Sequence, residues 1–144
     1  MEKGIDHYIR TQFALEDVDV RTYSPLTLAY IGDAVYELII RTIVIGHGNT
    51  APSKLHKKTS SLVQAKAQSK LLECISPMLS QEEHDVVRRG RNAKSVTMAK
   101  NATMGEYRRA TGFEALCGYL YVTDRFERLV ELVKRGLEES EHAL

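Results

Sequence analysis

Apolar residues crowd one stretch of the chain more than any other: Leu26, Leu28, Tyr30, Ile31, Val35, Leu38, Ile39, Ile40, Ile43, Val44 and Ile45. At a helical period they occupy nearly every side, which is the pattern of a helix enclosed in a core. Ser24 is a good N-cap and Pro25 a good first helical residue. A long helix is therefore predicted from Pro25 to about Ile45, ended by Gly46-His47-Gly48. Upstream, Ile5, Tyr8, Ile9 and Phe13 predict a short helix, followed by an acidic linker at 16–19. Downstream, Pro52 opens a stretch whose apolar stripe is Leu55, Leu62, Val63, Ala67, Leu71, Leu72 and Ile75, with Pro77 as its stop. It reads as one helix, or as two with a break near Thr59-Ser60-Ser61.

Ser80 with Glu83, and Thr103 with Glu106, have the spacing of capping boxes and start two further helices. The first is expected to finish around Arg88-Arg89-Gly90. The second runs through Phe113, Leu116 and Leu120 to about Val122. Asp124 with Glu127 reads as the cap of a last helix carrying Phe126, Leu129, Val130, Leu132, Val133 and Leu137. Residues 90–102 have little periodicity and read as a long basic loop, a kind of segment that is usually functional. The polar tail from 138 to 144 is expected to fray. No stretch alternates as strands do, so the expected fold class is all-α. The length of 144 residues suits one domain over 1–144, with 1–23 as a variable N-terminal segment.

Composition places the chain among globular proteins, with 43% apolar and 27% charged residues. The N-terminus lacks the apolar run of a signal peptide. The most apolar stretch carries Asp33, Glu37 and Arg41, which argues against a membrane span. Cys74 and Cys117 both fall in apolar helical runs and read as reduced core thiols without zinc-ligand spacing. A cytoplasmic location is expected. Net charge is only +1, but it is unevenly spread: −3 over residues 1–53, +7 over 54–109 and −3 over 110–144. A basic middle of this kind is the footprint expected for a polyanion.

The acids in the apolar runs are the chemical puzzle. Asp33 and Glu37 are four residues apart and share a helix face. Glu114 lies in Phe113-Glu114-Ala115-Leu116-Cys117-Gly118, a second strongly apolar run. A buried carboxylate needs a cationic partner. Gly32 beside Asp33, and Gly118 one turn after Glu114, suggest close helix approach, because glycine inside a helix costs about 1 kcal/mol against alanine. If the two helices cross there, the three acids converge. A hard cation such as Mg²⁺ or Mn²⁺ suits an all-oxygen ligand set. The bland readings are separate pairs: Glu37 with Arg41, and Glu114 with Arg108 or a tyrosine hydroxyl.

At Tyr30-Ile31-Gly32-Asp33-Ala34-Val35 and Phe113-Glu114-Ala115-Leu116 the sequence resembles the catalytic domain of the ribonuclease III family. The resemblance is closer to the Mini-III branch, whose members have no double-stranded RNA-binding domain. Leu55-His56-Lys57-Lys58, Arg89-Gly90-Arg91-Asn92-Ala93-Lys94, Lys100-Asn101, Tyr107-Arg108 and the run from Thr111 to Leu120 carry it further, over roughly residues 25–137. The resemblance implies an all-helical homodimer that cleaves double-stranded RNA with Mg²⁺, leaving a 5′-phosphate and a 3′-hydroxyl. It implies a role in maturing the large-subunit (23S) ribosomal RNA precursor, with a large-subunit ribosomal protein as a candidate presenter of the substrate. Asp33 and Glu114 fall on two of the family's metal-binding acids. The larger enzymes have an acid where Ala29 stands and another where Thr111 stands; Mini-III members share this reduced set. Glu37 is proposed from helix spacing as a third ligand, direct or through water. Gly112 stands where alanine is more usual, and a packing effect alone is expected.

RNA contacts are expected from Lys57, Lys58, Arg88, Arg89, Arg91, Asn92, Lys94, Lys100 and Asn101. No aromatic residue lies between Leu55 and Asn101, which disfavours a single-strand stacking platform and suits a reader of duplex backbone. The histidines form no constellation, and His56 is expected to be structural or to contact phosphate. Three rivals remain: an all-α metal-dependent nucleotide pyrophosphatase, a non-catalytic RNA-binding or ribosome-assembly protein that kept the fold, and a helical dimerisation module. The first would call for a denser Glu-x-x-Glu pattern; the last would leave the acids unexplained.

Overall fold

The computed structural model describes residues 4–94 and 102–140. Seven α-helices account for most of them: α1 (Ile5–Gln12), α2 (Pro25–Gly46), α3 (Pro52–Val63), α4 (Ala65–Ile75), α5 (Gln81–Asn92), α6 (Met104–Val122) and α7 (Phe126–Glu139). Short 3₁₀ turns at Val20–Thr22 and Ser76–Met78 link neighbours. No strand occurs among the described residues. The all-α expectation holds.

The predicted starts hold where the side chain can cap its own helix. Ser24 Oγ accepts from the Thr27 amide, with Pro25 behind it at the first helical position. Ser80–Glu83 and Thr103–Glu106 form reciprocal capping boxes. Asp124 departs from expectation. Its φ is 63° and its carboxylate accepts from the Gly4 amide at 2.7 Å, while Arg125 occupies the N-cap of α7 without a side-chain bond. A tertiary contact has taken the group that local spacing assigned to the cap. The break in the 52–75 stretch falls at Gln64, whose extended ψ of 150° separates α3 from α4, rather than near Thr59-Ser60-Ser61. Helix α5 continues two residues past Gly90, so Arg91 and Asn92 are helical rather than in a loop. Helix α7 reaches Glu139, and Ser140 is buried. Residues 141–144 of the expected tail, and 95–101 of the expected basic loop, lie outside the described residues.

The core is centred on α2 and α6, whose packing on each other is the most extensive in the fold, with α4, α5 and α7 around them. Tyr36 and Phe113 meet edge to face at 5.0 Å between ring centroids, and the Tyr36 hydroxyl donates to the Leu62 carbonyl at 2.9 Å. The central crossing is made backbone to backbone. A Cβ on Gly32 would overlap the carbonyl oxygen of Glu114, and one on Gly118 would overlap the carbonyl oxygen of Leu28. The glycines that looked costly inside helices are what allow α2 and α6 to touch. Gly112 has the packing role expected of it: a Cβ there would lie 2.8 Å from the Val87 carbonyl oxygen of α5.

Helix α2 is not enclosed on every side. Tyr30 is 82% exposed, Ile45 59% and Leu38 52%. On α1 and just after it, Ile5, Tyr8, Ile9 and Phe13 are exposed as well. The all-round apolar pattern therefore encodes two faces: one in the core, and a second that this chain leaves in solvent. Cys74 and Cys117 are free thiols, the latter fully buried.

Candidate active site

The α2–α6 crossing brings two of the three predicted acids together. Asp33 follows Gly32 on α2 and is exposed; Glu114 is partly buried on α6, at the residue whose carbonyl faces Gly32. The Asp33 carboxylate lies close enough to Glu114 to act on its carboxyl. Burial first, then the hydrogen bond and charge of Asp33, push the Glu114 carboxyl up from 4.5 to about 8. The Gln68 amide acts in the opposite direction. Cys117, one turn further along α6, is kept as a thiol by burial first and by the charge of Glu114 second.

The third acid does not join them. Glu37 pairs with Arg41 at 3.3 Å, one turn along its own helix, and its side chain is 40% exposed. Among the described residues no group of three His, Cys, Asp or Glu side chains is placed to hold one ion. The expected three-way convergence is replaced by a pair plus an ion-paired neighbour, because an i,i+4 arginine satisfies Glu37 locally. The two positions that lack the larger enzymes' acids offer no substitute. Ala29 is buried, and the Thr111 hydroxyl donates to the Tyr107 carbonyl at 3.0 Å. Nor does Glu114 use the ion pair with Arg108 that was one of its bland alternatives; its neighbours are Asp33 and Gln68.

Gln68 is the site neighbour that sequence reasoning missed. It lies on α4, 1% exposed, among Leu71, Leu72 and Ile75 on the core face. Its Nε2 is the one buried side-chain nitrogen or oxygen among the described residues that has no hydrogen-bond partner. The signal was available: an amide three residues before Leu71, at helical spacing, interrupts an otherwise apolar stripe.

The predicted RNA contacts are spread over the surface. Lys57 and Lys58 on α3, Arg88, Arg89, Arg91 and Asn92 on α5, and Lys94 after it are all exposed. Arg88 pairs loosely with Asp85 at 3.4 Å, which leaves most of its guanidinium in solvent. Lys100 and Asn101 lie outside the described residues.

A pH dependence follows from the acid pair. The folded chain without a divalent ion holds a Glu114 proton that the unfolded chain releases near 4.5. The unfolded state then binds fewer protons, so this group makes stability fall as pH rises, until the folded carboxyl also ionises near 8. In chelator, the wild-type Tm should drop between about pH 4.5 and about pH 8, and this group should add no further slope above that. Glu114→Gln should flatten that slope and sit several degrees higher at the alkaline end, measured by differential scanning fluorimetry. Equal slopes in both proteins would remove Glu114 as the cause.

The arrangement has clear relatives. A family model described as the ribonuclease III domain matches residues 26–125. A protein named Mini-ribonuclease 3 from Thermoanaerobacter sp. (strain X514) is 46% identical over 138 residues, covering 96% of this chain and 97% of that one. Another of that name, from Clostridium tetani, is 52% identical over 117 residues, covering 81% of this chain and 78% of that one. A crystal structure of a Fusobacterium nucleatum protein superposes with a TM-score of 0.76 at 32% identity, over 85% of this chain and 98% of that one.

Proposed function

The chain belongs to the ribonuclease III family, in its Mini-ribonuclease 3 branch, and on that premise we propose that this endoribonuclease hydrolyses double-stranded RNA with a bound divalent cation. The observation that carries the reading is the Asp33–Glu114 pair, held at the glycine crossing of α2 and α6, where burial and the neighbouring Asp33 push the Glu114 carboxyl up to about 8. Such a pair has the oxygen chemistry and the missing positive charge of a Mg²⁺ or Mn²⁺ site. When bound, the cation lowers the pKa of a water and relieves charge on the phosphate. Asp33, exposed, and Glu114, partly buried, are the residues that would hold it. Glu37, one turn from Asp33 and paired with Arg41, is the peripheral acid that would orient water or the ion on the same helix face. The products are a 5′-phosphate and a 3′-hydroxyl.

Lys57, Lys58, Arg88, Arg89, Arg91, Asn92, Lys94, Lys100 and Asn101 hold the duplex through phosphates and 2′-hydroxyls. A second copy of the chain supplies the second acid pair, one for each strand. The exposed apolar side of α2, with Tyr30, Leu38 and Ile45, supports a homodimer through that face. The substrate is the 23S ribosomal RNA precursor, presented with the help of a large-subunit ribosomal protein, in the cytoplasm. Among the described residues no helix is long and apolar enough to cross a membrane.

One incubation tests the reading. Duplex RNA should be cut in Mg²⁺, and neither chelated duplex nor single-stranded RNA should be. Cleavage that ignores the chelator sinks the cation; no cleavage of any duplex leaves a binding protein. Duplex affinity, measured by filter binding, should fall by on the order of 10³ between about 50 and about 200 mM salt. A flat salt response would rule out phosphate contacts as the main source of affinity.

A further inference from the structure

Gln68 is buried at 1% exposure beside Glu114, and its Nε2 has no hydrogen-bond partner. Buried donors are almost always satisfied, so an orphaned one calls for a reason. An apolar residue of similar size would fill the same place on α4 without the desolvation penalty. The amide is near enough to Glu114 to favour its charged form, yet its Nε2 makes no well-aligned hydrogen bond to it or to any other group. Its neighbours Leu71 and Leu72 offer only side-chain hydrocarbon.

We propose that Gln68 is a positioning residue whose Nε2 donates to the Glu114 carboxylate when Asp33 and Glu114 hold the divalent cation. The inference rests on the cation reading given above. In metal sites, the groups that hydrogen-bond the ligands fix ligand orientation, and losing one typically costs 10- to 100-fold in metal affinity or activity. Gln68 fills that place for Glu114. It reaches the acid from α4, a third helix packed on α6, so the ligand is steadied from the core side while Asp33 faces it from α2. The carboxyl then has a fixed plane instead of free rotation about its last torsion. Gln68 touches neither RNA nor the reacting phosphate, and for that reason it should act through ion affinity and kcat, not through RNA binding.

The test compares the full chain with Gln68→Leu, Gln68→Met and Glu114→Gln. Mn²⁺ binding is read by electron paramagnetic resonance, duplex binding in chelator by filter assay, and kcat and KM for duplex cleavage in Mg²⁺. Gln68→Leu should keep or raise Tm, because it removes an unsatisfied amide. It should weaken Mn²⁺ binding about 10-fold and lower kcat by about 10- to 100-fold. Duplex affinity in chelator and KM should not move, and raised Mn²⁺ should restore part of kcat. Gln68→Met, unbranched and close in length, gives the same readings should the leucine variant fail to fold. If a folded Gln68 variant binds Mn²⁺ like the wild type while Glu114→Gln does not bind it, the positioning role is wrong and the cation site stands. If Glu114→Gln also binds Mn²⁺ like the wild type, the cation site itself is wrong. A Gln68 variant that loses Tm and duplex binding together is a core residue only, and the proposal falls.

Discussion

Asp33→Asn should leave duplex RNA bound and uncut. The substitution keeps the size and one oxygen of the side chain but removes the exposed half of the carboxyl pair that faces Glu114. With one neutral amide in place of a charge, the site keeps a single carboxyl for the cation. Glu37 cannot make up the loss without giving up Arg41, its partner at 3.3 Å. Losing the cation forfeits both the activated water and the charge relief, several kcal/mol of barrier. The expected fall in kcat is on the order of 10³-fold or more. Binding in chelator should change by no more than about threefold, because the basic residues on α3 and α5 are untouched. Single-turnover cleavage with a gel-shift control separates the two quantities. Residual cutting near the wild-type rate would remove Asp33 from the chemistry.

Gly118→Ala, like Gly32→Ala across the same crossing, should be among the most damaging additions of a single methyl group to the described residues. The new Cβ would overlap the Leu28 carbonyl oxygen and lie 2.8 Å from the carbon behind it and 3.0 Å from Ile31 Cγ2. Two of those atoms are backbone of α2, so relief requires moving a helix, not rotating a side chain. Because α2 and α6 form the principal packing pair, their separation loosens the core on both sides. Overpacking of a core commonly costs about 1–3 kcal/mol, and a clash with backbone belongs above that range. A loss of about 4 kcal/mol is a large part of an ordinary domain's stability. The expected outcome is a Tm lower by about 15 °C or failure to accumulate as soluble protein. Gly46→Ala is the control: it lies at the end of α2 with nothing within 4 Å of its added Cβ, and its Tm should hold or rise slightly. A Gly118→Ala protein as stable as Gly46→Ala would mean that the two helices can separate freely.

Much of this architecture was legible in the sequence because the relevant signals are local. Ser24-Pro25 and the two capping boxes act within one turn, so composition and spacing suffice. Asp124 carried the same kind of spacing and did something else, because Gly4 arrives from the far end of the chain and takes its carboxylate. The Gln64 break could not be read either; it depends on how α3 and α4 each pack, and nothing in the dipeptide forces it. On α2, Tyr30 and Leu38 looked like core, because a face awaiting a partner and a face in a core are written with the same residues. At the site, Asp33 and Glu114 announced themselves as charges in apolar runs, and Gly32 and Gly118 located their meeting point. Glu37 was grouped with them on helix spacing, while the arginine one turn later was the closer claim. Gln68 escaped notice because an uncharged amide barely disturbs a hydropathy pattern, although burying it is expensive.

Were the pair to hold a cation as proposed, the glycine contact between α2 and α6 would also bear on which ions it could take. Asp33 and Glu114 are attached to backbones already in contact, with Gly32 facing the Glu114 carbonyl. The helices have no slack with which to draw closer, and moving apart opens the core. Adjustment to a change in ionic radius, such as the longer metal–oxygen distances of Ca²⁺ against Mg²⁺, therefore falls to the χ angles of two short side chains. On the cation reading proposed above, discrimination between ions of equal charge would rest on the main chain, at a position where neither helix presents a side chain at all.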